Sequence, residues 1–193
     1  MKRYLITAVL TLLLKCALAQ NVKDSLVYQL PMVNDQLIYK DTVKVTGNKT
    51  LLDSAAGAWF KSYFQNYRPY PADREVDTSA AVFDQAMLTY KVSPGLIAID
   101  YFAAVSIKIT TGNNFYTYKI YEISFRPKNG VLNKIGYQND PEYLIKLYKR
   151  KHLGLITSMS LSRGMIREYL DKMNTAVIAC IASLNRAMAN KTM

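Results

Sequence analysis

Apolar and polar positions alternate along residues 36 to 45, QLIYKDTVKV. Leu37, Tyr39, Val43 and Val45 fall on one side of an extended chain. Ile38, Lys40, Thr42 and Lys44 fall on the other, and Asp41 alone interrupts the apolar side. A period of two over this length predicts a half-buried strand. The period then changes. Leu52, Ala55, Ala56, Trp59, Phe60 and Tyr63 recur at helical spacing, which predicts an amphipathic helix with Gly47 in the preceding turn and Asn48 as N-cap. Gly57 in mid-helix costs about 1 kcal/mol relative to alanine. Such a cost is expected where the helix backbone lies close against a neighbour, most simply a sheet.

The segment NYRPYPADREVDTSA holds two prolines and ends that helix. Asp73, Glu75 and Asp77 then alternate along a short predicted strand. Two longer strands follow. Val82, Ala86, Leu88, Tyr90 and Val92 share one side of the first. Ile97, Ile99, Tyr101, Ala103, Val105, Ile107 and Ile109 form an unbroken apolar face on the second. SPG at Ser93 to Gly95 and TGNN at Thr111 to Asn114 are turns.

The next stretch, NFYTYKIYEISFRP, changes phase: Tyr116, Tyr118 and Ile120 are even, Ile123 and Phe125 odd. Strict alternation would bury Glu122 and Ser124. A one-residue bulge near Tyr121 and Glu122 keeps the apolar residues on one side, which makes these tyrosines core and rim rather than a ligand platform. Asp140 as N-cap with Pro141 at the first helical position starts a helix. Its apolar side carries Tyr143, Leu144, Leu147 and Tyr148, and its basic side Lys146, Lys149, Arg150 and Lys151. After a break at HLGL, a long helix runs from Ser160 or Ser162 to about Ala189. Its stripe is Ile166, Tyr169, Leu170, Met173, Val177, Ile181, Leu184 and Met188, with Ala176, Ala179 and Ala182 allowing close packing.

The order strand, helix, four antiparallel strands, helices describes an α+β fold with helices packed on a curved sheet. LPMVNDQLIYKDTVKVTGNKTLLDSAAGAWF (30 to 60) and KIYEISFRP (119 to 127) resemble a family of secreted bacterial domains of unknown function. That resemblance implies a TATA-box-binding-protein-like (TBP-like) fold and carries no activity with it. The expected organisation is a signal peptide over 1–19, the α+β domain over 20–130, and a basic helical C-terminal extension over 131–193 packed on the same domain.

Composition and the ends alter this picture in two ways. Lys2 and Arg3, an apolar run from Tyr4 to Leu14, and small residues at Ala17 and Ala19 read as a signal peptide cleaved before Gln20. The expected location is the periplasm or cell envelope of a Gram-negative bacterium. Cys16 leaves with that peptide, so Cys180 remains alone and pairs with no other cysteine of the mature chain. The charge is also uneven. The formal net is +11 over 193 residues, yet residues 20 to 125 hold 10 basic and 10 acidic side chains, while residues 126 to 193 hold 12 and 4.

Catalytic signatures are missing. His152 is the single histidine, with Ser158 and Ser160 near it but no nucleophile motif. Zinc-ligand spacing and a glycine-rich phosphate loop are absent. Asp84 and Asp100 have no context as a carboxylate pair. Asp73, Glu75 and Asp77 read as a charge-protected edge rather than a cation site. Cys180, in AVIACIASL, reads as a buried apolar residue. No catalytic residue, metal or cofactor is expected.

The second sheet face should present Phe83, Gln85, Met87, Thr89 and Lys91, then Asp100, Phe102, Ala104, Ser106 and Lys108, then Thr117 and Lys119. That set is mixed and nearly neutral, unlike a basic saddle for phosphates, so no nucleic-acid partner is expected. Phe83, Met87 and Phe102 form a candidate apolar binding patch that the C-terminal helices are expected to cover in part. The leading expectation is an exported, non-enzymatic interaction or ligand-binding module for a protein or envelope component. The alternative is a membrane-surface module in which Lys146, Lys149, Arg150, Lys151, Arg163, Arg167 and Lys172 meet anionic lipid or polysaccharide. A hydrolase without a recognisable motif comes third.

Overall fold

The computed structural model describes residues 27, 29–64, 77, 79–92, 99–127, 140–149 and 162–190. The expected signal peptide, Asp73 and Glu75 of the acidic strand, Arg150, Lys151 and His152 lie outside the described residues. Met1–Leu30 and Pro31–Met193 form separate compact units, and every element below belongs to the second.

Strands β1 (Met32–Val33), β2 (Gln36–Leu37) and β3 (Tyr39–Lys44) precede helix α1 (Lys49–Tyr63). Strands β4 (Val82–Val92), β5 (Ile99–Gly112) and β6 (Phe115–Pro127) follow, then helices α2 (Pro141–Lys149) and α3 (Arg163–Asn190). The main sheet has the antiparallel order β3-β6-β5-β4.

The helices form where their caps and stripes direct. The Asn48 side chain accepts from the Leu51 N–H at 2.9 Å, Asp140 accepts from the Glu142 N–H at 2.8 Å, and Ser162 accepts from the Met165 N–H at 3.2 Å. Each leaves its helix a buried apolar face. The whole predicted stripe of α3 is buried, and Cys180 joins it. Trp59 of α1 is 4% exposed and donates its indole N–H to Ser183 of α3 at 3.2 Å.

One sheet face receives these helices. Ala86, Leu88 and Tyr90 of β4, Tyr101, Val105, Ile107 and Ile109 of β5, and Tyr116, Ile120, Ile123 and Phe125 of β6 are all buried there. Tyrosine hydroxyls on this inner face reach α3. Tyr39 donates to Asn174 at 2.8 Å, Tyr116 to Asn185 at 2.6 Å, and the Tyr169 hydroxyl donates to that of Tyr101 at 2.7 Å. Asn174 and Asn185 are 11 residues apart, close to three turns, so one helix face presents both acceptors.

The phase change in β6 is a bulge. Ser106 pairs with Tyr121 and Ala104 with Ser124, so Glu122 and Ile123 together oppose Val105. Glu122 takes a left-handed conformation, φ 51°, and accepts from the buried Ser106 hydroxyl at 2.6 Å. A left-handed non-glycine residue costs roughly 1–2 kcal/mol. The extra residue turns Ile123 and Phe125 inward, where alternation alone would have turned them out.

Four expectations change. Residues 36 to 45 do not form one strand. The Ile38 N–H bonds the Pro31 carbonyl at 2.9 Å instead of the sheet, so Ile38 is buried rather than solvent-facing. The β1–β2 hairpin, closed by Asn34 and Asp35 at φ 49° and 63°, was not expected; its Asn-Asp pair suits a turn with two left-handed residues. Gly57 lies against nothing, since a Cβ there would have no neighbour within 4 Å. Ala179 is exposed, because it sits outside the stripe that meets the sheet. Of the four strands expected after α1, the described residues hold three, β4 to β6.

Candidate functional site

Among the described residues no helix lies over the outer sheet face, so the expected partial cover is not seen there. The bonds of α3 to the sheet go to inner-face tyrosines. What the outer face presents follows from register. Thr89 pairs with Phe102, and Met87 with Ala104 and, beyond it, Ser124. Gln85, Ser106 and Tyr121 form the next rung, and Phe83, Lys108, Lys119 and Lys40 the one after. The expected patch is therefore uneven. Met87 and Phe102 are diagonal neighbours, while Phe83 stands beyond the Gln85 rung and beside Lys108. All three are half-buried.

The lysine rung is the main chemical feature. Lys40 of β3, Lys119 of β6 and Lys108 of β5 are direct cross-strand partners. Directly opposed side chains have Cβ atoms about 5 Å apart, and like charges so placed destabilise a sheet. The neighbouring rung is Thr42, Thr117 and Thr110. These six residues, with Asp41 and Tyr118, line an open depression of about 590 Å³.

The charges are only partly answered. The Lys108 ammonium lies 2.5 Å from an Asp77 carboxylate oxygen. Hydrogen bonds from Lys108 and then Ser79 lower the Asp77 carboxyl to about 2. The Lys119 ammonium sits over the Tyr121 ring, 4.3 Å from its centroid. Lys40 is exposed and makes no ion pair with a described residue. The Asp41 carboxylate accepts from the Thr42 N–H at 2.7 Å.

Lys40, Thr42 and Lys44 were legible as one strand face. What the sequence did not reveal was that β3 lies beside β6, which sets Lys40 against Lys119. The β3 edge is held there by a clamp between two turns. The Val45 N–H bonds the Asn114 carbonyl at 3.0 Å, and the Asn114 N–H bonds the Gly47 carbonyl at 2.8 Å. Asn114 also accepts from the Gly47 N–H at 3.1 Å, and Asn113 from the Lys49 N–H at 3.1 Å. Gly47 meets this clamp at φ 143°, a conformation open to glycine.

The other candidate residues are scattered. Lys146 and Lys149 are exposed on α2, with the Lys146 ammonium 3.7 Å from Asp35. Cys180 is fully buried, and burial pushes its thiol up to about 12, so it is a poor nucleophile at neutral pH. Burial also raises the phenols of Tyr39, Tyr90, Tyr116 and Tyr169. The Tyr90 hydroxyl is buried without a hydrogen-bond partner. Among the described residues no group of three His, Cys, Asp or Glu side chains could hold a metal ion. No described helix is long and apolar enough to cross a membrane.

No protein-family model and no curated protein matches the chain. Two solved structures are similar to it. One is a TBP-like protein from Parabacteroides distasonis ATCC 8503, with 16% identity, a TM-score of 0.57, and coverage of 82% of this chain and 96% of that one. The other is a DUF4468 family protein from Bacteroides ovatus ATCC 8483, with 11% identity, a TM-score of 0.57, and coverage of 82% and 90%. At these identities the likeness is one of fold, and the fold is TBP-like α+β.

Proposed function

We propose that this protein is an exported, non-enzymatic binding module that engages its ligand through the outer face of the main sheet. One observation carries the reading: α1 and α3 pack on the inner face, and no described helix lies on the other. A face left open by its own helices, and furnished with an opposed lysine rung, is suited to a partner rather than to folding. Export rests on Lys2, Arg3, the apolar run after them and the small residues at Ala17 and Ala19. Non-enzymatic action rests on the lack of a nucleophile–base pair among the described residues and on the raised Cys180 thiol.

A ligand screen of envelope peptides, neutral sugars and phosphorylated small molecules, read by amide chemical shifts of the whole chain, tests this. Saturable shifts are expected at Ala104, Ser106, Thr117 and Lys119. Shifts confined to Lys61 and Ile178 on the helical side would overturn the binding-face reading. Turnover of a hydrolase substrate, abolished by one substitution, would overturn the non-enzymatic one.

A further inference from the structure

Resting on the binding-face reading, we infer that Lys40, Lys119 and Lys108, with the threonine rung beside them, form a site for a tetrahedral oxyanion. The ligand is a phosphate or sulfate ester on a small soluble molecule.

Three lysines on adjacent strands, in direct register, repel one another, and only Lys108 has an ion-pair partner among the described residues. The outer position of each strand needs only a polar residue, and a neutral one in the middle would relieve two repulsive pairs. The compensation present is incomplete. Asp77 answers Lys108, the Tyr121 ring faces Lys119, and Lys40 has no described ion-pair partner. Lys44, four residues from Lys40 along the same face of β3, adds further positive charge.

The donor types narrow the ligand. A lysine ammonium is a compact point charge that suits a tetrahedral phosphate, whereas planar carboxylate recognition favours the arginine fork. Thr42, Thr117 and Thr110 lie about 7 Å further along the strands. The Thr117 hydroxyl donates to the Thr110 carbonyl at 3.4 Å, and those of Thr42 and Thr110 can reach the far side of an anion held by the lysines. The lysine rung spans two strand spacings, about 10 Å, enough for one or two phosphate groups. The depression, about 590 Å³, falls within the range of small-ligand sites. Its limited extent favours a small molecule over a lipid surface. Phe83, next in the rung after Lys108, offers an apolar wall to the rest of such a ligand. Binding would loosen the Lys108–Asp77 pair, since the anion and the carboxylate compete for one ammonium.

The test titrates the full chain with inorganic phosphate and with pyrophosphate at constant ionic strength, using chloride as control. Saturable amide shifts are expected at Lys40, Thr117 and Lys119, stronger with pyrophosphate. Lys119→Gln should weaken binding by about tenfold or more. The same change should raise the Tm of the unliganded protein by about 1–3 °C, because it removes both opposed pairs. Asp77→Asn should tighten binding several-fold by freeing Lys108. Should Lys119→Gln not fold, Lys40→Gln on the edge strand carries the same loss of binding.

Linear shifts that chloride reproduces, or unchanged affinity in Lys119→Gln, overturn the site. Lys119-dependent pelleting with phosphatidylglycerol vesicles, without saturable phosphate or pyrophosphate binding, overturns the soluble ligand in favour of a membrane surface. If a neutral ligand shifts the outer-face amides and neither anion does, the oxyanion inference falls and the binding-face reading stands. Saturable anion shifts only at the helical surface remove both.

Discussion

The two faces of the main sheet are made from alternate residues of the same strands, yet they follow opposite rules. On the inner face, β6 contributes Tyr116, fully buried, with its hydroxyl bonded to Asn185. One residue on, Thr117 turns to the outer face and stands between two other threonines. Three buried phenols find partners at Asn174, Asn185 and Tyr101, while the buried Tyr90 hydroxyl goes without, and a missing hydrogen bond in the interior is costly. Outside, water tolerates unpaired charge, and three lysines are set side by side. Stability is concentrated on the first face.

Glu122→Val should have the largest effect. A β-branched residue is strained at φ 51°, and the buried Ser106 hydroxyl loses this acceptor, which together cost roughly 2–4 kcal/mol. A lower Tm is expected, and a near-native Tm would show that the left-handed bulge is not what Glu122 supplies. Tyr116→Phe should cost about 1 kcal/mol in urea denaturation, since Asn185 is exposed and water replaces the lost donor. Gly57→Ala should stabilise by about 0.5–1 kcal/mol, because nothing occupies the space a methyl group would fill. A decrease would reveal a neighbour there.

Glu142, half-buried at the edge of the helical layer, gives a pH-dependent contrast. Burial, then its hydrogen bond with Asp140, raises its carboxyl from 4.5 to about 7, while the Leu37 N–H donates to it at 2.7 Å. The folded state therefore binds this proton more tightly than the unfolded one. Its contribution is full below about pH 4.5 and is lost as the pH rises to about 7. Glu142→Gln, which keeps an acceptor for Leu37, should flatten that part of the stability–pH profile; an unchanged slope would contradict the assignment. The smallest change is expected on the outer face, where Thr110→Ala should alter stability by less than about 0.5 kcal/mol. A larger loss would mean that this face also serves the fold.

Much of the inner face was legible. A stripe such as Ile166 to Met188 has no other stable use than burial, and Ile123 and Phe125 were too apolar to leave in water, so a bulge followed from the change of phase. Gly57 misled, since a costly glycine suggests close packing and here there is open space. The Asn34-Asp35 turn carried a usable signal, two residues tolerant of left-handed geometry, that was hidden inside an otherwise regular alternation. Of the candidate site, Lys108 and Lys119 were recognised as outer-face residues but not as neighbours of Lys40.

By itself the sequence determined which residues seek the interior, where helices begin, and that one strand must slip by a residue, because each depends on local spacing and on transfer from water. Only the tertiary structure decided that β3 lies against β6, that the helices share one side, and that three lysines meet in a single rung. Strand pairing joins residues about 80 positions apart through backbone bonds that any side chain can make, so the chain's own letters carry little trace of it.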